Sequence, residues 1–305
     1  MIKNISGWIF PAILALVLPA TPIFAAQDLA GEWQVMYHED QLERGQGPNV
    51  GDYLGIPIND DARLRADSWE ASLLTLPEFQ CVPHPAVYAM RGPANIEISN
   101  DIDPITHQVR AIIIFGTFGE ATRTIWMDGR PHPPEYAAHT WAGFSTGKWD
   151  GDILTVETTH VKAAYIRRNG LMTTDQVTMT EHFYRHDDIL TDMNIRYEPA
   201  YLTEPFVQSE NWVLNPNQNV ARTKCEAVEE IANRRRGYVP HHLPGTNEQL
   251  HDFADRFGVP YEATRGGAET LYPEYKDKAP KPDNVPAKCE RYCSCGQNAR
   301  GCNLR

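Results

Sequence analysis

"HTWAGFSTGKWDGDILTVETTH" (His139–His160) carries two signals that exclude each other. Gly143-Phe144-Ser145-Thr146-Gly147 matches G-x-S-x-G, a nucleophile elbow, which needs a strand, a sharp turn at the serine and then a helix. The chain instead continues into Asp150-Gly151 between two apolar, β-branched runs, a strong two-residue hairpin signal. With Asp150-Gly151 as the loop, Trp149 lies opposite Asp152, Ser145 opposite Val156 and Trp141 opposite His160. Strand alternation then gathers Trp141, Gly143, Ser145, Gly147 and Trp149 on one face, against Leu154, Val156, Thr158 and His160. That face is the more apolar and is expected to point inward. Ser145 therefore reads as a small polar group on a barrel wall, and the elbow fails on context.

The same pattern extends in both directions. "LAGEWQVMYH" (from Leu29), "NIEIS" (from Asn95), "HQVRAIIIFG", "ATRTIWM", the two arms just described, "DQVTMTEHFYR", "ILTDMNIRY" and "FVQSENWVL" are short β-rich runs. Polar turns separate most of them, as in an antiparallel meander closing into a barrel or half-barrel. The expected organisation is a leader at 1–25 and a mainly β barrel domain at 26–220. Within it, a loop and helix insertion at 39–90 places a helix from Asn59 to about Leu74, with Leu64, Trp69 and Leu73 on its buried face. A helical, disulfide-bearing extension occupies 221–305, with helices at Cys225–Arg236 and Asn247–Phe257 and a Pro-rich arm after them.

Register in the next hairpin is set by its apolar face. A three-residue loop at His186–Asp188 pairs Glu181 with Met193 and Met179 with Ile195. It turns Val177, Met179, Glu181, Phe183 and Arg185 inward, against Ile189, Thr191, Met193, Ile195 and Tyr197. Glu181 then lies among Met and Phe. A buried carboxylate needs a partner, and Arg185 is the nearest candidate; the other reading is a general base of raised pKa.

The N-terminus has a basic Lys3, a proline-interrupted apolar core from Trp8 to Phe24 and the small-residue exit Ala25-Ala26, a signal peptide that predicts a periplasmic or secreted protein. No later stretch is long and apolar enough to span a bilayer, so membrane insertion is not expected. A net charge of −12 with no functional basic run argues against nucleic acid. Six cysteines in an exported chain suggest disulfides. Cys81 and Cys225, isolated in irregular segments, are expected to bond. Cys289, Cys293, Cys295 and Cys302 are spaced C-x3-C-x-C-x6-C and lack the paired spacing of a thiolate metal site.

Several of these stretches also carry a resemblance. "RTIWMDGRPHP" (Arg123–Pro133), "GFSTGKWDGDILTVETT", "TEHFYR" and Cys81-x-Pro83 are similar to motifs of a large family of exported bacterial proteins, which implies a shared fold over residues 28–225 and no mechanism. The Gly31-x-Trp33 opening with a subsequent meander also resembles lipocalins and other calycin-like barrels.

For chemistry, an inner wall of Trp126, Trp141 and Trp149 suggests a cavity for a small apolar or aromatic ligand. Arg123, Asp128, Arg130, His132, Ser145 and Arg185 are candidate polar contacts. The alternative is a hydrolase, isomerase or lyase using Glu181 and His160 as acid and base, or a metal held by His132, His139 and His160. A third is an envelope interaction protein using the Cys-rich tail. No cofactor motif is present, and oligomeric state is not legible.

Overall fold

A computed structural model describes residues 27–36, 47–90, 95–116, 121–222 and 224–278. The leader expected at 1–25 and the four C-terminal cysteines lie outside the described residues. All nine β-rich runs form strands of one closed barrel. These are β1 (Gly31–Val35), β2 (Ile96–Ile102), β3 (Val109–Gly116), β4 (Thr122–Trp126), β5 (Phe144–Asp150) and β6 (Ile153–Thr159). After a small two-stranded excursion, β7 (Tyr165–Arg167) and β8 (Leu171–Met172), come β9 (Thr178–His186), β10 (Ile189–Tyr197) and β11 (Phe206–Leu214). The order around the barrel is β1-β11-β10-β9-β6-β5-β4-β3-β2, and β1 closes it by pairing with both β11 and β2.

One pair departs from the meander. β4 and β5 are parallel, Ile125 beside Ser145 and Trp126 beside Thr146. A parallel pair needs a crossover rather than a tight turn. Residues 127–143, interrupted by three prolines, supply it by passing along the outside of the barrel.

Both hairpin registers differ from those expected, with opposite consequences. In β5–β6 the loop is Gly151-Asp152, so Ser145 faces Thr158 and Trp149 faces Leu154. This is a slip of two, which preserves side-chain parity: Ser145, Leu154, Val156 and Thr158 are buried as anticipated. In β9–β10 the loop is Asp187-Asp188, Asp187 taking a left-handed φ of 53°. The register moves by one, pairing Glu181 with Asn194 and His182 with Met193. Every β10 side chain changes face. Leu190, Asp192, Asn194 and Arg196 point inward, whereas Met193 and Tyr197 are exposed.

The interior has two parts. Toward the end bearing the tight turns it is apolar, packed with Trp33, Ile112, Ile125, Leu154, Phe183, Leu190 and Trp212. Fully burying each such side chain contributes about 1.5–3 kcal/mol. Trp33 closes its one polar requirement by donating Nε1–H to the Leu29 carbonyl at 2.9 Å. Toward the other end, the mouth, polar side chains enter from β4, β5, β6 and β9 to β11, while β2 and β3 stay apolar with Ile96 and Ile114. There the short helix Ala86–Ala89 caps the barrel, packing Ala86 and Val87 on Val161, Val177 and Met179.

A second core lies outside the barrel, uniting Tyr53, Ile56, Ile58, Ala62 and Ala66 with Ile166, Leu171, Leu202 and Phe206. Its helix, Asp60–Asp67, starts at Asn59, whose side-chain oxygen accepts from Ala62 N at 3.0 Å. The helix is shorter than expected. It buries Ala62 and Ala66, leaving Leu64 exposed, because Gly170 approaches so closely that a Cβ there would lie 2.9 Å from Ala66 Cα.

The C-terminal extension packs on this insertion. Tyr53 N donates to Thr264 O, and Arg265 pairs with Asp67 at 2.7 Å. Its helix Asp252–Phe257 comes after a 3-10 turn capped by Asn247, as expected. The helix expected at Cys225–Arg236 is not formed. There Val228 N donates to the Gln80 side chain rather than to a preceding carbonyl, and Arg234 donates to Thr75. Cys225 is tied to Cys81, with Cα atoms 5.4 Å apart.

The disulfide spans 144 residues of chain and anchors the segment that leads into the cap. Replacing either cysteine by serine is expected to lower the unfolding free energy by about 2–4 kcal/mol, read from urea titrations under non-reducing conditions.

Candidate functional site

Arg123 on β4 organises the mouth. It points inward with Ile125, and its guanidinium reaches across β5 and β6 to β9. Nε donates to Ser145 Oγ at 3.1 Å, Nη1 to Glu181 Oε1 at 2.7 Å, and Nη2 to Thr158 Oγ1 at 2.6 Å and to Glu181 Oε2. Four of its five N–H groups are thus used within the protein. Both charges are buried, Glu181 completely. Burial works against the guanidinium charge, but Glu181 outweighs it, so the Arg123 pKa is raised.

The polar belt continues through β10 and β11, where Asp192 and Glu210 face each other across the ladder, both fully buried. Asp192 accepts from Asn194 Nδ2 at 3.2 Å through Oδ2, while its Oδ1 has no hydrogen-bond partner among the described residues. Burial, then the Glu181 and Glu210 carboxylates, holds its pKa well above the ordinary value. Its surroundings therefore favour the protonated, neutral form.

Above the belt lies a cavity of about 350 Å³. Arg123, Thr122, Ile96, Ile114 and Met90 are among the residues that line it. The cap supplies His84, Ala86 and Ala89, and the crossover supplies Thr140, Trp141 and Ala142. Cap and crossover are joined by Ala86 N donating to Trp141 O at 2.8 Å. His84 Nδ1 meets the Tyr165 hydroxyl at 2.5 Å, and Tyr88 packs edge-on to both rings. A buried phenol needs an acceptor, so Tyr165 donates to Nδ1 and the imidazole proton resides on Nε2. Burial, reinforced by Arg168, lowers the His84 pKa to about 3, and burial raises that of Tyr165.

The residues singled out from the sequence separate into three places. Arg123 and Trp141 line the cavity, and Ser145 and Glu181 lie in the belt behind Arg123. Ser145 sits on a strand that turns into another strand, with its hydroxyl held by Arg123 and by Thr158 at 2.9 Å. Trp149 packs half-buried against the apolar core. Arg185 is not the partner of Glu181. It donates to the carbonyls of Asp187 and Asp28, 5.3 Å from the Trp33 ring.

Trp126, Asp128, Arg130 and His132 are on the outer wall. Arg130 stacks 3.5 Å from the Trp126 ring centroid and bonds Asp128, whose pKa its hydrogen bonds lower to about 2. His132 bridges the outward hydroxyls of Thr159 (2.7 Å) and Thr146 (2.8 Å). His160 does not continue the inward face of β6. Its left-handed φ of 57° breaks the alternation, and its ring bonds Thr159 and the Pro134 carbonyl. His139 stacks on it at 5.1 Å. No group of three metal-ligating side chains occurs among the described residues, and both ring nitrogens of His132 are occupied by hydroxyls.

Sequence reasoning missed His84, Tyr165, Asp192 and Glu210. His84 lies in a proline-rich stretch without periodicity, and its partner is 81 residues away. Asp192 faces outward in the register that the apolar residues of β10 suggest.

The belt generates two expected outcomes. Arg123→Met or Glu181→Gln alone leaves an uncompensated buried charge and is expected to cost about 3–5 kcal/mol, whereas Arg123→Met with Glu181→Leu recovers most of that loss. Urea titrations of the three variants measure it. Asp192 has a folded pKa raised above the ordinary 3.8, so its contribution to stability is complete below that value and is lost as pH rises through the folded pKa. Asp192→Asn is therefore expected to be more stable than wild type at neutral pH, by about 1–3 kcal/mol, and no more stable at the acid end of a pH series.

No protein-family model, curated protein or solved structure matches the chain.

Proposed function

We propose that this is a periplasmic binding protein whose lipocalin-like barrel takes a small apolar or aromatic molecule in its mouth. The observation that carries the reading is the cavity of about 350 Å³, walled by Ile96, Ile114, Met90, Ala89 and Trp141. Such apolar concavities with a few fixed polar groups are the usual form of small-molecule sites. The leader-like N-terminus and the Cys81–Cys225 bond support an exported location. The described residues contain no helix long and apolar enough to cross a membrane. The acidic net charge of −12 speaks against a nucleic-acid partner.

Binding is favoured over turnover by the state of the ionisable groups. A general base must reach the proton that it removes. Glu181 instead holds Arg123 with both oxygens from behind the cavity wall, and His160 sits against Pro134 on the crossover. Trp141 faces the cavity with the Lys162 ammonium 5.0 Å from its ring centroid.

The test is titration with N-phenyl-1-naphthylamine, an uncharged fluorophore that brightens in apolar surroundings. Wild type is expected to saturate at one site, and Ala89→Trp, which fills the cavity, to lose about tenfold or more in affinity. No enhancement in wild type, or an unchanged response in Ala89→Trp, would remove the cavity as the binding site.

A further inference from the structure

An arginine in the wall of an apolar cavity ordinarily signals an anionic ligand, most simply a carboxylate. The electrostatics behind the wall point the other way. Arg123 already holds the two oxygens of Glu181. Asp192 and Glu210 add two more buried carboxyl groups on the neighbouring strands. The second inward guanidinium, Arg196, is four residues further along β10 and donates to Gln208. On the cap, burial keeps His84 neutral. The cations nearest that side are Arg168, close to His84, and Lys162, 5.0 Å from the Trp141 ring, and neither lines the cavity. Asp192 lies in the same surroundings, where burial and then the Glu181 and Glu210 carboxylates raise its pKa.

Resting on the binding function proposed above, we infer that the cavity selects an uncharged ligand and rejects the carboxylate of the same shape, because Glu181 consumes the charge of Arg123. Among the described residues, one N–H of Arg123 Nη1 has no partner, enough to orient a single neutral acceptor such as a ketone, ester or phenol oxygen. A ligand carboxylate would lose its hydration and meet the same Glu181 and Glu210 carboxylates that raise the Asp192 pKa.

The experiment compares 2-acetylnaphthalene with 2-naphthoate by calorimetry on the full chain. At neutral pH the ketone is expected to bind about tenfold or more tightly. The affinity of the acid should climb as pH falls toward its own pKa of about 4 and it becomes neutral. Glu181→Gln frees the guanidinium and is expected to raise naphthoate affinity relative to that of the ketone by about tenfold. Should that variant not fold, the wild-type pH series decides alone. Naphthoate binding as tightly as the ketone at neutral pH, or without pH dependence, overturns the inference and leaves the cavity reading intact. If neither probe binds, the cavity reading falls and the inference with it. Ketone binding that Ala89→Trp does not weaken places the ligand elsewhere and overturns both.

Discussion

The bidentate contact between Arg123 and Glu181 fixes the composition of the barrel interior. A buried ion pair is tolerated when most of its remaining hydrogen-bonding capacity is satisfied. Ser145 and Thr158 do this from the two strands between the charged partners, which requires their side chains to point inward at those levels. The polar belt then extends to β10 and β11 as Asp192, Asn194 and Glu210. The barrel is consequently apolar at its turn end, the polar belt crosses it nearer the mouth from β4 to β11, and the cavity, with Ile96, Ile114 and Met90 in its wall, sits between belt and cap.

That division explains which parts of the fold are legible in the sequence. Strand positions are readable because β-branched and aromatic runs separated by turn residues record backbone preference and burial together. The faces of β5 and β6 are readable because Leu154 and Val156 mark the core side whichever turn joins the strands. β10 misleads because the usual inference from apolar to inward inverts there. Ile189, Met193, Ile195 and Tyr197 form the more apolar set, yet the belt requires Asp192 and Asn194 inside. Arg185 is two positions along the strand axis from Glu181 once alternation is counted, so local reasoning selects it; the actual partner, Arg123, is 58 residues away.

The candidate site is partly legible. Arg123, Trp141, Ser145 and Glu181 stand out in the sequence, but their grouping with His84 depends on how the cap folds over the mouth. That placement comes from long-range contacts without periodic signature: the Cys81–Cys225 bond, the Ala86–Trp141 backbone hydrogen bond and the His84–Tyr165 contact. The first is deducible from elimination among isolated cysteines, and the other two are not.

The outer wall shows how the crossover serves the interior. His160 Nε2 meets a carbonyl that can only accept, so it carries the proton and Nδ1 accepts from Thr159. Thr159 Oγ1 must then accept from His132 Nδ1–H, which leaves His132 Nε2 to accept from Thr146. One directed chain of hydrogen bonds therefore runs from β5 through His132 to β6 and on to Pro134. Burial lowers the His132 pKa, in keeping with a neutral ring in this role. The chain clamps the proline-rich crossover against β5 and β6, and the crossover is what makes β4 and β5 parallel. Parallel pairing sets Ile125 beside Ser145, which puts Arg123, two residues earlier on the same face, within reach of the Ser145 hydroxyl. The DGRPHP loop thus acts on the site from outside, by holding the register in which Arg123 can find Glu181.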